Sequence, residues 1–313
     1  MTTFGDQVFE FGGAPVSGGR YSNPWATHYF VDGDNGSIGN GGLRPDDAMA
    51  KPEQAISLAS AGDVIYVRSR EAQADGSDVT FYNTQNMVIP VAKDFLSIIG
   101  VVPGNKARQL YGPFVRMAAA GYTLDVYAAA FHMENMILHL GGSATGTIIL
   151  RGASGYAAKA GACGATIESC AISYGGMLIE GGGDCLFRNC MIRNATPMTF
   201  DASDTPARRH SVVGCEFRAD NGDGSDENYI RILGTSTEFF IRDCYFDQIP
   251  DTDEYIHTSG VVGGIIANCF FNDPDVTVGP DAADEIRIEG YATEGSMRCV
   301  ACHDSGSLII AGT

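Results

Sequence analysis

One six-residue pattern of apolar and polar positions returns six times along this chain: apolar, any residue, a turn former, Cys or Met, any residue, apolar. The copies are Met133-Glu-Asn-Met-Ile-Leu138, Ile167-Glu-Ser-Cys-Ala-Ile172, Phe187-Arg-Asn-Cys-Met-Ile192, Val212-Val-Gly-Cys-Glu-Phe217, Ile241-Arg-Asp-Cys-Tyr-Phe246 and Ile266-Ala-Asn-Cys-Phe-Phe271. The third position holds Asn, Ser, Asn, Gly, Asp and Asn, residue types that tolerate a left-handed or turn conformation at lowest cost. Each copy therefore predicts two short strands that meet at a sharp bend, with the flanking apolar residues pointing to one side. Successive copies start 34, 20, 25, 29 and 25 residues apart. Self-similarity at that period is the mark of a solenoid.

Residue type decides which solenoid. The repeats are rich in Ile, Val, Phe and Thr, show no helix-length run with 3.6 spacing, and are separated by Gly-rich or acidic loops. Helical repeats are thereby excluded, and leucine-rich repeats are shorter with several spaced leucines per unit. A right-handed, single-stranded parallel β-helix fits, because its turns tolerate loops of unequal length without losing the stack. The fourth position of the repeat then forms an inward core ladder of Met136, Cys170, Cys190, Cys215, Cys244 and Cys269. These are expected to be reduced, buried thiols, one strand spacing (about 4.8 Å) apart. A serine at Cys190 is expected to leave its hydroxyl in an apolar stack.

Composition narrows the function classes. Forty Gly and one Trp in 313 residues suit tight corners better than a large globular core. Solenoids grow by stacking, so the length needs no second domain. A formal charge of −18 argues against nucleic acid, whose phosphates need clustered Lys and Arg. No apolar run is long enough for a membrane span. The opening Met1-Thr-Thr-Phe-Gly-Asp-Gln-Val reads as neither an export signal nor an anchor. Unpaired Cys also suit folding in a reducing cytoplasm.

Several patterns bear on chemistry. Cys299-Val-Ala-Cys302-His303 has the spacing of a covalent haem motif, but a Cys-rich repeat produces it by chance. A zinc site would need a second ligand pair, and Cys163 and Cys185 are not spaced as one. Asp220-Asn-Gly-Asp-Gly-Ser-Asp-Glu227 resembles a calcium loop, yet Asp226 and Ile232 stand where an EF-hand needs Gly and Glu. Two acidic groups could serve catalysis: Asp201 and Asp204 near Arg208, Arg209 and His210, and Asp251, Asp253 and Glu254 near His257. All are expected on solvated loops between the turns of the coil. The expectation is no catalytic residue, no metal and no cofactor.

Residues 1–27 lack the repeat and carry scattered aromatics, Phe4, Phe9, Phe11, Tyr21 and Trp25, on a Gly-rich backbone. An arm with aromatic anchors and no core of its own is expected to order against something else. Residues 28–62 read as a strand, a loop and a capping helix, and 63–313 as the coil. Within them, His28-Tyr-Phe-Val-Asp, a Gly/Asn/Asp loop, Gly42-Leu-Arg-Pro, a short helix and Ala61-Gly-Asp-Val-Ile-Tyr-Val67 resemble the start of pectate-lyase-like β-helices. The opening Phe4-Gly-Asp-Gln-Val-Phe with Gly12-Gly-Ala-Pro-Val16 is similar to the start of tailed-phage virion β-helix proteins. That superfamily holds polysaccharide lyases, hydrolases, phage tailspikes and inert virion proteins, so the resemblance implies fold more than function. The function it implies here is a non-enzymatic capsid decoration or spike in the virion. By analogy it is a homotrimer, joined to the major capsid protein or another virion protein by its arm. The rival expectation is a tailspike, or a polysaccharide lyase or hydrolase, that acts on host surface glycan.

Overall fold

The computed structural model describes residues 9–11, 14–16, 25–70, 82–84, 86–101, 113–117, 123–139, 147–151, 164–173, 175–180, 183–194, 197–219, 229–247, 254–259, 262–272, 278–279, 286–288 and 297–304. Within them the chain winds into a right-handed parallel β-helix. Each turn of the coil, or rung, has three faces. The fourth rung shows the plan: Thr166–Glu168 lies on the first face, Ala171–Ser173 on the second and Gly176–Glu180 on the third. Every strand pairs in parallel with its counterparts one rung above and below, as Met133 does with Ile98 and Ile167. The second face is a nine-stranded sheet of its own. The first and third share a sheet, because Ile230–Arg242 runs unbroken from one to the other.

The repeat builds the narrow corner between the first and second faces. Its third-position residues all adopt left-handed backbone: Asn135 (φ 56°), Ser169 (51°), Asn189 (53°), Gly214 (62°), Asp243 (56°) and Asn268 (53°). That conformation turns the chain within one residue and aims the amide along the helix axis. The amides of Asn135, Ser169, Asn189, Gly214, Asp243 and Asn268 each donate to a carbonyl on the next rung, at 2.9 to 3.1 Å. The amide of the bend residue is therefore satisfied between rungs rather than left stranded. The flanking apolar positions, from Met133 and Leu138 to Ile266 and Phe271, point inward and are buried.

Met136, Cys170, Cys190, Cys215, Cys244 and Cys269 follow the bend and stack inside the coil, all buried. Each cysteine thiol faces the carbonyl of the apolar residue that opens the preceding rung's repeat: Cys190 Sγ to Ile167 O is 3.4 Å, Cys215 to Phe187 O 3.6 Å, Cys244 to Val212 O 3.6 Å. A small apolar side chain with a weak S–H donor suits a site that is dry but offers a carbonyl. Ile167 O and Arg188 O, both 3.4 Å from the Cys190 thiol, are the acceptors nearest to a hydroxyl placed there. Desolvation raises the Cys170 thiol to about 12, so it holds its proton at neutral pH.

The N-terminal end is capped by the helix Pro52–Leu58, whose Ala55 and Ile56, with Ala59 just beyond, are buried against the first rungs. Pro52 occupies the first helical position, where its missing N–H costs nothing. Beside the cap, buried Asp32 pairs with Arg68 at 2.6 Å and accepts the amides of Asp34 and Asn35. Burial alone would raise its carboxyl, but these bonds outweigh it and hold the group below its ordinary value.

Ahead of the cap, Phe9–Phe11 pairs antiparallel with Ala14–Val16 and joins neither large sheet. Trp25 is 89% exposed. The handover to the coil comes at Ala26, which packs on the outer cluster of Phe30 and Tyr66, and Thr27, whose amide donates to Asp63 Oδ1 at 2.8 Å.

Candidate functional site

A second sharp corner, between the third and first faces, carries the features that the six-residue repeat does not explain. Three residues ahead of the first five repeats the backbone is again left-handed, at Ala130 (φ 51°), Gly164 (74°), Asp184 (62°), Arg209 (55°) and Glu238 (59°). Gly62 (79°) and Phe95 (65°) continue the column on the earlier rungs. The next residue points into the core in six of the seven cases, Leu96, Phe131, Ala165, Cys185, His210 and Phe239, while Asp63 after Gly62 accepts the amides of Thr27 and Ser60. The repeating unit is therefore nine residues long. Its first three positions do not stand out in the sequence, because Phe, Ala, Arg and Glu do not announce a bend; Gly164, Asp184 and the offset of three from the repeat are the available signal.

This register disperses the first catalytic group expected from sequence. Asp201 and Asp204 lie on the strand Met198–Arg208 rather than on a loop. Arg209 is exposed and pairs with Asp184 at 2.8 Å. His210 is 0% exposed and faces the other way, tilted against Phe200 at 5.3 Å and Phe239 at 5.8 Å. Desolvation lowers its imidazole to about 4, against a smaller upward pull from Asp184. His210 is a neutral core residue.

In the second group, Asp251 and Asp253 lie outside the described residues, as do Phe4, Tyr21, Cys163 and the whole of 220–228. Glu254 and His257 are brought together, with Oε2 and Nδ1 2.5 Å apart and His257 on the strand Ile256–Ser259. The third face adds a row that sequence reasoning missed. Arg151 bridges Asp125 (3.5 Å) and Glu180 (2.8 Å), and Glu180 lies in register with Asp201 one rung on. On the first face Glu168 and Arg188 pair at 2.5 Å across rungs. Stacking in parallel register sets such side chains one strand spacing apart, so charge pairs form between rungs that sequence separation conceals.

The haem-like motif is a seventh copy of the repeat. Ala301 takes the left-handed position (φ 53°), Cys302 is buried as the next step of the ladder with its thiol 3.7 Å from Ile266 O, and His303 pairs with Phe270 on the second face. Among the described residues, no group of three or more His, Cys, Asp or Glu is placed to hold a metal ion. No helix among them is long and apolar enough to cross a membrane.

A groove of about 540 Å³ opens at the return corner, lined by Ala61, Gly62, Phe95, Ser97, Ala130, His132, Gly164 and Thr166. Ser97, His132 and Thr166 lie in register on three successive rungs and form its floor. His132 Nε2 lies 3.3 Å from Glu134 Oε2.

No protein-family model and no curated protein matches the sequence. Among solved structures the chain is similar to a rhamnogalacturonan lyase, with 12% identity over 90% of this chain and 75% of the other and a TM-score of 0.49. It is also similar to the pectin methylesterase from Aspergillus niger, with 14% identity, 78% and 87% coverage and a TM-score of 0.40. Likenesses of this size carry no argument about activity. The β-helix assignment rests on the strand register itself.

Proposed function

We propose that the chain is a non-enzymatic structural protein of a tailed-phage virion, a surface-exposed capsid decoration or spike held by its N-terminal arm. The observation that carries the reading is that the described strands of that arm stay outside the sheets of the coil. Its hairpin adds no strand to either large sheet, and Trp25 stands exposed just before the chain docks at Ala26. An exposed tryptophan ahead of the coil is the kind of aromatic that anchors an interface. In this reading the partner is the major capsid protein or another virion protein, and the coil assembles as a homotrimer. The non-enzymatic half is supported by the exterior carboxylates Asp125, Glu168, Glu180 and Asp184, each engaged by an arginine.

The test is a chain lacking residues 1–25, which keeps the docked Ala26 and Thr27. It should fold as the full chain does, by circular dichroism and thermal melting, and should no longer join particles. Truncated protein that joins particles at the full-length level overturns the reading.

A second reading, a glycan-cleaving tailspike, is favoured by the Glu254–His257 pair and by the register of Glu180 with Asp201. Depolymerisation of host polysaccharide that is abolished by Glu254→Gln or Asp201→Asn would move the assignment there.

A further inference from the structure

We propose that Cys299 and Cys302 form a redox-active pair that closes into a disulfide in oxidising surroundings and fastens the last described rung of the coil. The pair stands on the two arms of one bend. Cys299 lies on the strand Met297–Val300, in register with Ile266 on the rung before, and Cys302 follows the left-handed Ala301 (φ 53°). These are the first and fourth positions of the repeat. In the six earlier copies both positions are buried, as with Met133 and Met136 or Ile241 and Cys244. A chain that turns within one residue brings two such inward side chains together, and the thiols of Cys299 and Cys302 lie within hydrogen-bonding reach of each other.

Packing does not call for a cysteine at position 299. The other rungs fill that column with Met133, Ile167, Phe187, Val212, Ile241 and Ile266, all buried and all larger. Cys299 is instead only partly buried against the core, and it is the one cysteine among the described residues that is not fully buried. An oxidant arriving from solvent therefore meets this sulfur first. The sulfur waiting beside it is that of Cys302.

The ladder prepares the second sulfur. The thiols of Cys269 and Cys299 both hydrogen-bond to Cys302 and hold it below its ordinary value, against the opposing effect of burial. With glutathione disulfide as the oxidant the reaction balances. The Cys299 sulfur attacks one glutathione sulfur and releases a glutathione thiol, which leaves a mixed disulfide; the Cys302 sulfur then attacks Cys299 and displaces the second glutathione. In sum one S–S bond breaks and one forms, the pair gives up two electrons, and each cysteine proton leaves with a glutathione. The bend leads directly into His303–Asp304, the edge strand of the nine-stranded sheet, where the His303 amide donates to Cys269 O at 2.8 Å. Strand ends of this kind open most readily. The disulfide ties that edge to the strand before it, and it forms only outside a reducing cytoplasm.

The experiment equilibrates the purified, reduced full chain with glutathione buffers of rising disulfide content, blocks the remaining thiols with iodoacetamide, and cleaves with trypsin after Arg298. The peptide that begins at Cys299 carries both sulfurs. It should be recovered unalkylated and two hydrogens lighter than the dithiol, and dithiothreitol should reverse the change. Cys302→Ala should leave glutathione on Cys299, because the sulfur that displaces it is gone. Amide hydrogen exchange at His303 should slow on oxidation of the parent and stay unchanged in Cys299→Val, which restores the residue type of Val212. The proposal is overturned if both sulfurs are alkylated in excess glutathione disulfide, or if Cys302 is recovered joined to Cys269. It is equally overturned if Cys302→Ala holds no glutathione at Cys299, or if His303 exchanges as fast after oxidation as before. Neither the arm nor a glycan enters this test, so it stands or falls apart from the attachment reading.

Discussion

The two sharp corners of the coil share a backbone shape and differ in almost everything else. The narrow corner is written in Asn, Ser, Gly and Asp, and its inner lining is a ladder of thiols. The return corner makes the same left-handed bend with Phe95, Ala130, Asp184, Arg209 and Glu238, and its inner lining runs through Leu, Phe, Ala, Cys and His. At the narrow corner the bend residue also works through its side chain, as when Asn135 Nδ2 donates to Gly100 O at 2.9 Å. The return corner carries a wider range of outward side chains, among them the ion pair of Asp184 with Arg209 and the exposed Phe95, and the groove lies there.

The largest effect that sharpens this contrast belongs to His210. Its folded imidazole is lowered to about 4 from an ordinary 6.5, so the folded state binds fewer protons than the unfolded chain between those values. The stability it preserves is complete above the ordinary value and is lost as pH falls towards 4. That window corresponds to about 3 kcal/mol. Urea denaturation at pH 7 and pH 4.5 should show the loss, and His210→Phe, between Phe200 and Phe239, should flatten the slope over that window. An unchanged slope would return His210 to the surface.

Next come the bends themselves. Asn189→Val and Asp184→Val place a β-branched residue at left-handed positions on the two corners, and each should cost about 2 kcal/mol. Similar losses in denaturant midpoint would show that geometry is shared where residue type is not. A silent Asp184→Val would break the equivalence.

Inside the narrow corner, Cys190→Ala should cost about 1 kcal/mol by leaving a small void, and Cys190→Ser no more than that, because two carbonyls await its hydroxyl. A thiol reagent should leave Cys170 and Cys190 unmodified in the folded protein. The smallest effect is Ala130→Gly, where relieved strain outweighs added chain entropy and stability should rise by less than about 1 kcal/mol. A fall in melting temperature would mean that the Ala130 methyl packs in the groove.

The same contrast explains what could be read from sequence. The narrow corner was readable because its six bend positions are held by Asn, Ser, Gly or Asp beside a Cys or Met, as at Asn135, Asn189 and Asn268. At the return corner only Gly62, Gly164 and Asp184 are turn formers. His210 stood in the charged run Arg208-Arg209-His210 and so read as part of a catalytic loop, although its two-residue offset from Val212 places it in the core with Phe131 and Phe239. The cysteines around Cys302 matched a haem motif only while the seventh repeat went unrecognised. Pairings such as Arg151 with Glu180 lie 29 residues apart and depend on loop lengths that no local pattern records.

The attachment reading is tested most directly by electron cryo-microscopy of purified particles that carry the full chain with a gold-binding tag after Thr313. The account predicts slender projections on the capsid, with the label at their outer end and the N-terminal arm against the shell. Particles devoid of the protein, or a label confined to the tail, would contradict it.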